Sequence, residues 1–244
     1  MAAKEYDLVT STSHCKMKPI AKSWTDWDYK MCDAILHYAE KNNMAFRGHA
    51  TLWAKDPFYP DFVKQEKSAA KIEDFMKNYI QTTMKRYKGK AFAWDVVNEA
   101  ITDRAPYRVR TDTPWAKVDD FICKAFKWAH EADPDAQLFY NDYGHLAMDG
   151  GWYGGRSDAA YNLIKDLKNR GCPIHGVGFQ LHVDIDYDSK WRDIAQNLKR
   201  YDELGIKVHF TELDVQCRRE NGKCVDWNKS LYKKQADVYY KLLN

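Results

Sequence analysis

Two glutamates each close a short apolar run of the sequence. Glu99 follows Phe-Ala-Trp-Asp-Val-Val-Asn, and Glu212 follows Val-His-Phe-Thr. A charged side chain at the end of an apolar run needs a partner or a role, because burying an unpaired charge is costly. Two carboxylates that face each other across a cleft, one protonated and one ionised, are what hydrolysis of a glycosidic bond requires. The alternative is that each is an ordinary surface glutamate.

A histidine and an aspartate have a spacing that would place them beside Glu212. Gln180 and His182 are two residues apart, and so are Glu212 and Asp214. Residues at this spacing in an extended chain point the same way. We therefore expect His182 to lie between Glu212 and Asp214 and to orient Glu212 as a nucleophile. The alternative is a core histidine whose hydrogen bonds are satisfied locally.

Polar or aromatic side chains follow every apolar run after the first. They are His49 and Trp53, Asn98 and Glu99, Asn141 with Asp142 and Tyr143, Gln180 and His182, and Glu212 with Asp214. Trp53, Tyr143 and Trp152 stand in loop-like contexts, where an aromatic ring could stack on the apolar face of a sugar. Core filling is the alternative for each of these three rings.

The apolar runs are predicted to be buried parallel strands, because they are short and rich in Val, Ile, Phe and Tyr. They are Tyr6–Thr10, Met44–Gly48, Phe92–Val97, Gln137–Asn141, Gly176–Leu181 and Ile206–Thr211. Amphipathic helices are predicted between and after them, at Trp27–Lys41, Glu66–Lys88, Pro114–Ala132, Tyr153–Arg170, Trp191–Leu204 and Lys229–Leu243. Asp26 is a plausible N-cap for the first helix, and Gly171 and Gly205 stand where C-caps do.

Strand–helix alternation indicates an α/β fold with a parallel sheet covered by helices. An open sheet usually concentrates its site at one switch point, whereas polar residues at many strand ends favour the mouth of a TIM (β/α)₈ barrel. The sequence contains six recognisable βα units, whereas a barrel of this type has eight. Either two units lie outside this chain, or two strands are present that their sequence pattern does not reveal.

Composition limits the classes of function. The 244 residues are 45% hydrophobic and 30% charged, which indicates one globular domain over 1–244. A net charge of +3 argues against nucleic acid as a partner. No stretch approaches the roughly 20 apolar residues of a membrane helix.

Without an H-E-x-x-H or G-x-S-x-G motif, and with only a partial glycine motif at 176–178, we expect no metal, no cofactor and no serine nucleophile. Arg104, Arg108 and Arg110 are expected to form a solvated loop.

The cysteines give a weak indication of compartment. Cys217 and Cys224 flank a polar, turn-like stretch, so we expect a disulfide between them, and the alternative is two unrelated free thiols. The remaining cysteines, Cys15, Cys32, Cys123 and Cys172, are expected to be free. A disulfide and the Asn228-Lys229-Ser230 sequon favour an extracellular protein. Because the chain begins Met-Ala-Ala-Lys-Glu, its signal peptide would have to be absent from this sequence.

Five motifs in the same order resemble the strand-end motifs of glycoside hydrolase family 10, the retaining endo-1,4-beta-xylanases. They are Arg47-Gly-His49, Trp94-Asp-Val-Val-Asn98-Glu99, Tyr140-Asn141-Asp142-Tyr143, Gly176-Val-Gly-Phe-Gln180-Leu-His182 and Thr211-Glu212-Leu-Asp214. The resemblance covers nearly the whole chain and implies a (β/α)₈ barrel that binds xylan or xylo-oligosaccharide.

The resemblance also implies roles for individual residues. Glu99 matches the acid/base, Glu212 the nucleophile, and His182 with Asp214 the groups that orient it. The implied substrate-binding residues are Lys16, His49, Trp53, Asn98, Asn141, Tyr143 and Gln180. We further expect that ionised Glu212 raises the pKa of Glu99 and so keeps it protonated as an acid.

Several positions depart from the family pattern. Thr12-Ser13 replaces a Glu-Asn pair before Lys16, and Met17 stands where a Trp is usual. The family's Trp-His-x-Gln reads Trp53-Ala-Lys-Asp here, which loses an imidazole and an amide near the cleft. The chain matches units two to seven of the family, so we expect a domain truncated at both ends, without the first and last strands.

Three functions remain open from the sequence. The first is retaining cleavage of internal xylosidic bonds of xylan. The second is an inactive or weakly active barrel fragment that only binds polysaccharide. The third is a β-1,4-glucanase, because xylan and cellulose differ by one hydroxymethyl group per sugar. Unpaired edge strands also lead us to expect a less stable chain with low activity when it is expressed alone.

Overall fold

The computed structural model describes residues 2–148, 155–187, 191–217, 219–225 and 228–243. Its strands are β1 Leu8–Thr10, β2 Ala45–Trp53, β3 Ala91–Asn98, β4 Gln137–Asp142, β5 Gly176–Phe179, β6 His182–Asp184, β7 Lys207–Phe210, β8 Asp214–Gln216, β9 Arg219–Glu220 and β10 Lys223–Cys224. Its α-helices are α1 Ala2–Glu5, α2 Met17–Ile20, α3 Lys30–Lys41, α4 Asp61–Gln65, α5 Ala69–Arg86, α6 Phe121–Ala132, α7 Arg156–Asn169, α8 Trp191–Glu203 and α9 Lys229–Leu243. A 3₁₀ helix spans Pro114–Lys117.

The central sheet has six parallel strands in the order β1-β2-β3-β4-β5-β7. This order follows the chain, as it does in a (β/α)₈ barrel, where each strand pairs with the next. Within the described residues β1 and β7 do not pair with each other, so the sheet is an open arc. The fold is therefore the incomplete barrel that the sequence predicts. No helix among the described residues has both the length and the apolar character needed to cross a membrane.

Two short strands outside the central sheet, β6 and β8, contain His182 and Asp214. β6 and β8 pair in parallel, with His182 opposite Asp214. They continue the chain directions of β5 and β7, because each follows its strand after a break of a few residues. His182 and Asp214, which the sequence places two residues after Gln180 and Glu212, therefore pair in this small second sheet rather than in the central sheet.

The predicted elements are present, with differences at several of their ends. The first predicted helix begins at Lys30 with Tyr29 as its N-cap, so the prediction that Asp26 caps it is wrong. β2 is longer than predicted, so His49 and Trp53 lie within the strand rather than after it. The predicted helix Pro114–Ala132 is interrupted by Asp120, whose φ of 51° separates the 3₁₀ turn from α6. The start of the predicted helix Tyr153–Arg170 lies outside the described residues.

The interior of the arc contains close packing and a buried ion pair. A Cβ on Gly48 would lie 2.1 Å from the Trp94 ring, so only glycine lets these neighbouring strands pack. Arg47 Nη2 donates to Asp95 Oδ1 at 2.5 Å, and both side chains are buried. Arg47 Nη1 also lies 3.0 Å from His209 Nδ1. A buried charge has to be paired and hydrogen-bonded, and this network satisfies both conditions.

The structure contains three disulfides. Cys217–Cys224 is bridged as predicted, with a Cα–Cα distance of 5.6 Å. The prediction that the other four cysteines are free is wrong. Cys15–Cys32 and Cys123–Cys172 are bridged, with Cα–Cα distances of 4.8 and 5.5 Å, which suit a disulfide. Their separations of 17 and 49 residues give no local sign of pairing, because the fold alone brings them together.

The open edges carry exposed apolar side chains. Leu8 in β1 is 41% exposed, and Phe210 in β7 is 37% exposed. Unpaired apolar edges associate with other chains, and lysine at an edge opposes this. We expect Leu8→Lys with Phe210→Lys to reduce concentration-dependent association, measured by light scattering. The control Tyr38→Lys changes an exposed aromatic on α3 and should leave association unchanged. Equal association of all three proteins would contradict this prediction.

Candidate active site

Glu99 lies at the end of β3 on the buried side of the site. Its side chain is 8% exposed, and its backbone has a φ of 54°, a conformation that non-glycine residues adopt rarely. The Glu99 N–H donates to the Asn141 carbonyl at 3.0 Å, and Arg110 Nε donates to the Glu99 carbonyl at 3.0 Å. Gln180 Nε2 donates to Glu99 Oε1 at 3.1 Å. These bonds fix both the backbone and the carboxylate of Glu99.

Glu212 lies after β7 and is held by an amide and an imidazole. Asn141 Nδ2 donates to Glu212 Oε1 at 2.8 Å. His182 donates from Nε2 to Glu212 Oε2 at 3.2 Å and from Nδ1 to Asp214 Oδ2 at 2.7 Å. His182 thus lies between the two carboxylates as predicted, although the chain from Gln180 to His182 is not extended, since Leu181 has a φ of 58°. The paired register of β6 and β8 is the cause, because it places His182 directly opposite Asp214.

Side-chain amides join the two glutamates. Asn141 Nδ2, which contacts Glu212, lies 2.9 Å from the nearest atom of the Asn98 side-chain amide. Gln180 Nε2, which contacts Glu99, lies 3.3 Å from the same atom. Asn98, Asn141 and Gln180 are all buried. The carboxyl ends of β3, β4, β5 and β7 therefore bring Glu99 and Glu212 to one site, where their strand-end positions in the sequence place them.

The two carboxyl groups have pKa values that shift in opposite directions. Burial raises the pKa of Glu99, and the charge of Asp142 raises it further. Burial also opposes ionisation of Glu212, but hydrogen bonds from His182 and Asn141 and the charge of His49 lower its pKa overall. The principal causes at Glu99 are thus burial and Asp142, and not the charge of Glu212 that we expected. Asp142 is the next residue after Asn141, but its distance from Glu99 depends on the strand pairing.

The two halves of the site differ in exposure. Glu99 is 8% exposed, whereas Glu212, His182 and Asp214 are 30%, 37% and 44% exposed. The exposed half lies next to β7, the edge strand of the arc. Water near Glu212 raises the local dielectric and weakens its electrostatic interactions. The site is therefore preorganised around Glu99 and open around Glu212.

Three residues predicted to bind substrate lie near this pair. Lys16 Nζ is 4.1 Å from the centre of the Trp53 ring. Burial lowers the pKa of Lys16, although the charges of Glu212 and Glu99 both act to raise it. His49 Nδ1 donates to Asp95 Oδ2 at 2.9 Å, which leaves Nε2 for another partner.

Trp53 is less available for stacking than the sequence suggests. Its side chain is 8% exposed, and Phe58 stacks on one ring face with a centroid distance of 4.0 Å. Its indole contributes in another way, because a hydrogen bond from Trp53 helps to lower the pKa of Glu99 against burial. Trp152, the other tryptophan considered for stacking, lies outside the described residues.

Tyr143 belongs to a charged cluster that sequence reasoning missed. Lys55 Nζ donates to the Tyr143 hydroxyl at 3.2 Å and to Asp103 Oδ1 at 3.4 Å. Arg110 Nη2 lies 2.6 Å from Asp103 Oδ1, and the Tyr143 hydroxyl also donates to this oxygen. Although burial acts against it, the ion pair with Arg110 and the hydrogen bond from Tyr143 lower the pKa of Asp103 to about 2.

One arginine of the predicted solvated loop is in fact buried. Arg110 is 5% exposed, because it donates to the Glu99 carbonyl and pairs with Asp103. Arg104 and Arg108 are exposed as expected. Local spacing gives no sign of this difference, because the burial of Arg110 depends on how the loop folds back, with Val109 and Ile101 forming an isolated antiparallel bridge.

The positions that depart from the family pattern do not rebuild the lost groups. Thr12 and Ser13 are exposed, and Met17 is buried in α2 as part of the core. Among the described residues, no group of three or more His, Cys, Asp or Glu side chains is arranged to hold a metal ion.

The His182 contacts make stability depend on pH. The hydrogen bond to Glu212, then that to Asp214, raises the pKa of His182 to about 9, although burial acts against it. The unfolded chain has a histidine pKa of about 6.5, so this stabilisation is complete below that pH and is lost as pH rises through about 9. We expect the free energy of unfolding in urea to fall between pH 6 and pH 10 by more in the native chain than in His182→Asn. His37→Asn, on the exposed face of α3, is the control. Equal pH dependence of the native chain and His182→Asn would contradict this.

Known proteins resemble the chain over its whole length. A family model described as glycosyl hydrolase family 10 matches residues 1–244. Endo-1,4-beta-xylanase A of Caldicellulosiruptor sp. (strain Rt8B.4) is 34% identical and is matched over 96% of this chain and 35% of the relative. Endo-1,4-beta-xylanase B of Thermotoga neapolitana is 32% identical, over 99% of this chain and 66% of the relative.

A solved structure gives the same result for the fold. Xylanase 10B from Thermotoga petrophila RKU-1 in complex with xylobiose superposes with a TM-score of 0.88 at 31% identity, covering 99% of this chain and 70% of that chain. The chain thus spans between a third and two thirds of the two curated relatives above. With a family model that matches every residue and a parallel arc that superposes on a solved member, the chain belongs to glycosyl hydrolase family 10.

Proposed function

We propose that the protein hydrolyses internal β-1,4-xylosidic bonds of xylan with retention of configuration, with Glu99 as acid/base and Glu212 as nucleophile. The observation that carries this proposal is the opposite pKa shift of two carboxyl groups joined by one amide network. When the surroundings raise the pKa of one carboxyl group and lower that of the other, the first is assigned as the acid and the second as the nucleophile.

In the first step, Glu212 attacks the anomeric carbon while the bond to the leaving sugar oxygen breaks. Glu99 gives its proton to that oxygen, and a glycosyl ester forms on Glu212. Burial and Asp142 favour the protonated form of Glu99 that this step needs. His182 and Asn141 favour the ionised form of Glu212. The mechanism requires carboxyl groups about 5–5.5 Å apart.

In the second step, Glu99 acts as a base. It takes a proton from a water molecule, whose oxygen attacks the anomeric carbon and displaces Glu212. Both carboxyl groups then return to their starting protonation states. Two displacements on opposite faces give net retention.

The proposed sugar contacts come from the residues around this pair. Those that match the family's substrate-binding positions are Lys16, His49, Trp53, Asn98, Asn141, Tyr143 and Gln180. Lys16 supplies an ammonium near both glutamates, and the indole N–H of Trp53 faces Glu99. Tyr143 lies on the same side, where its hydroxyl receives a hydrogen bond from Lys55.

The assay uses three polymers with matched variants. The chain and Glu212→Ala are incubated with xylan, cellulose and mixed-linkage β-glucan, and new reducing ends are measured. Release from xylan by the native chain only is the expected result, at a slower rate than for a closed-barrel relative because water reaches Glu212. Equal or greater release from the glucans would replace the proposal with a glucanase. Polysaccharide binding without release by a folded chain would replace it with a binding fragment.

A glycine tests whether the amide network positions Glu212. A Cβ on Gly178 would lie 2.2 Å from Asn141 Oδ1 and 2.8 Å from Thr211 Cγ2. We expect Gly178→Ala to displace Asn141 and to lower kcat by about 10²-fold, as small misplacements of catalytic groups do. Gly176→Ala, in the same strand as Gly178, is the control for lost stability, because the three nearest atoms to its Cβ all belong to the Phe139 ring of the neighbouring strand β4. If both variants lose activity in proportion to the unfolded fraction, the positioning role fails.

We also propose that the protein works outside the cell. Three disulfides support this, because disulfides persist in oxidising compartments. The sequon residue Asn228 has a local role as well: its Oδ1 accepts from the backbone N–H of Ser230 at 3.0 Å at the start of α9.

A further inference from the structure

A lysine ammonium lies beside the carboxylate of Glu99. Lys55 Nζ is 4.0 Å from Glu99 Oε2. The Lys55 side chain is 32% exposed, whereas that of Glu99 is 8% exposed. A charge at this distance from a mostly buried carboxylate is only partly screened by water, so it favours the ionised form.

Two neighbours hold this ammonium in place. Lys55 donates to Asp103 Oδ1 and to the Tyr143 hydroxyl, at 3.4 and 3.2 Å. Asp103 is itself fixed by Arg110, at 2.6 Å, and by the Tyr143 hydroxyl. A lysine that is fixed by two partners interacts with Glu99 more consistently than a freely rotating surface lysine does.

We propose that Lys55 is a positioning residue for Glu99, and that its ammonium, held by Asp103 and Tyr143, stabilises the ionised carboxylate that acts as base in the second step. This inference rests on the proposed function for the catalytic role of Glu99. Lys55 occupies the variable position of the Trp53-Ala-Lys-Asp segment, where this chain departs from the family pattern on both sides.

The proposal fits the balance of charges around Glu99. Burial and Asp142 raise the pKa of Glu99, while Gln180, Lys55 and Trp53 lower it. The other charged or titratable groups that face it are Lys16 before α2, Tyr143 after β4 and Arg110 at its carbonyl. Glu99 has to be an acid in one step and a base in the next, so a nearby cation that moderates the effect of burial serves the second role.

The test measures Glu99 directly. Glutamate carboxyl carbons are labelled with ¹³C and titrated by NMR, and the Glu99 resonance is identified as the one lost in Glu99→Gln. Lys55→Met removes the charge, Lys55→Arg retains it, and Lys55→Gln is a second neutral variant in case the first fails to fold. Lys64→Met removes a charge from α4, where Lys64 pairs with Asp56 at 2.6 Å, and is the matched control.

We expect Lys55→Met and Lys55→Gln to raise the pKa of Glu99, so that the ratio of ionised to protonated Glu99 falls several-fold at fixed pH. Lys55→Arg and Lys64→Met should titrate like the native chain. The alkaline limb of kcat/KM on xylan should move to higher pH in the neutral variants only. An unchanged Glu99 titration in a folded neutral variant, or the same change in Lys55→Arg, would overturn the proposal. A chain that fails to hydrolyse xylan but shows the expected titrations would refute the proposed function and leave the Lys55–Glu99 interaction standing.

Discussion

Glu212→Ala should lower xylan hydrolysis by about 10³-fold or more, because it removes the atom that forms the covalent bond to the sugar. The loss should appear in kcat, since His49, Lys16 and the amides of the site are unchanged. Glu212→Gln keeps the shape and the Asn141 contact, and it should be as inactive as Glu212→Ala.

The control for this prediction is a glutamate outside the site. Glu203 lies at the end of α8 and faces Lys199 at 3.8 Å on the protein surface. Glu203→Ala should retain native activity. Retention of more than about a tenth of native kcat by folded Glu212→Gln would contradict the nucleophile assignment, because such a loss is too small for the removal of a nucleophile.

Glu99→Ala should have an effect that depends on the leaving group. Xylan has a sugar alkoxide as leaving group, which needs a proton, so its cleavage should slow by about 10²–10⁴-fold. A nitrophenyl xyloside releases nitrophenolate, which leaves without a proton, so formation of the glycosyl ester from this substrate should change little. Breakdown of the ester should remain slow, because water no longer has a base.

Azide separates the roles of the two glutamates. It attacks the glycosyl ester without a base, so it should restore turnover of nitrophenyl xyloside by Glu99→Ala and give a glycosyl azide of retained configuration. With Glu212→Ala the ester cannot form, so any azide product should have inverted configuration. Equal losses on both substrates without azide rescue would contradict the acid/base assignment.

The sequence predicted the strands because buried parallel strands are short and continuously apolar, as in Gln137–Asn141. It ended β2 too early because His49 and Thr51 interrupt the apolar pattern, although both are buried, as is Arg47 within the predicted strand. Arg47 is stabilised by Asp95, which lies 48 residues later in the chain, so its burial depends on the sheet rather than on local sequence.

The sequence predicted the site residues that form a motif at the end of one strand. It did not predict the contacts between residues of different loops. Asn98-Glu99 and Glu212 with Asp214 are local patterns, and the sheet places them at a single edge. The cluster of Lys55, Asp103 and Tyr143 joins residues 48 and 88 positions apart, so no spacing rule could indicate it. Burial of Arg110 was missed for the same reason.

The unpaired side of β7 explains why the two halves of the site differ in exposure. Glu99 is surrounded by β2, β4 and β5, whereas Glu212 follows β7, which has a neighbour on one side only within the described residues. We therefore expect nucleophilic attack by Glu212, and not proton donation by Glu99, to limit the rate in this chain.

Covalent trapping of the nucleophile is the decisive measurement for the assignment of Glu212. A 2-deoxy-2-fluoro xylobioside with a good leaving group forms a glycosyl ester that breaks down slowly, so a single turnover can be detected by mass spectrometry of the intact chain and its peptides. We expect one added disaccharide, located on Glu212, that is absent in Glu212→Ala and forms in Lys64→Met as in the native chain. Labelling of a different residue, or no label on a folded chain that releases reducing ends from xylan, would contradict it.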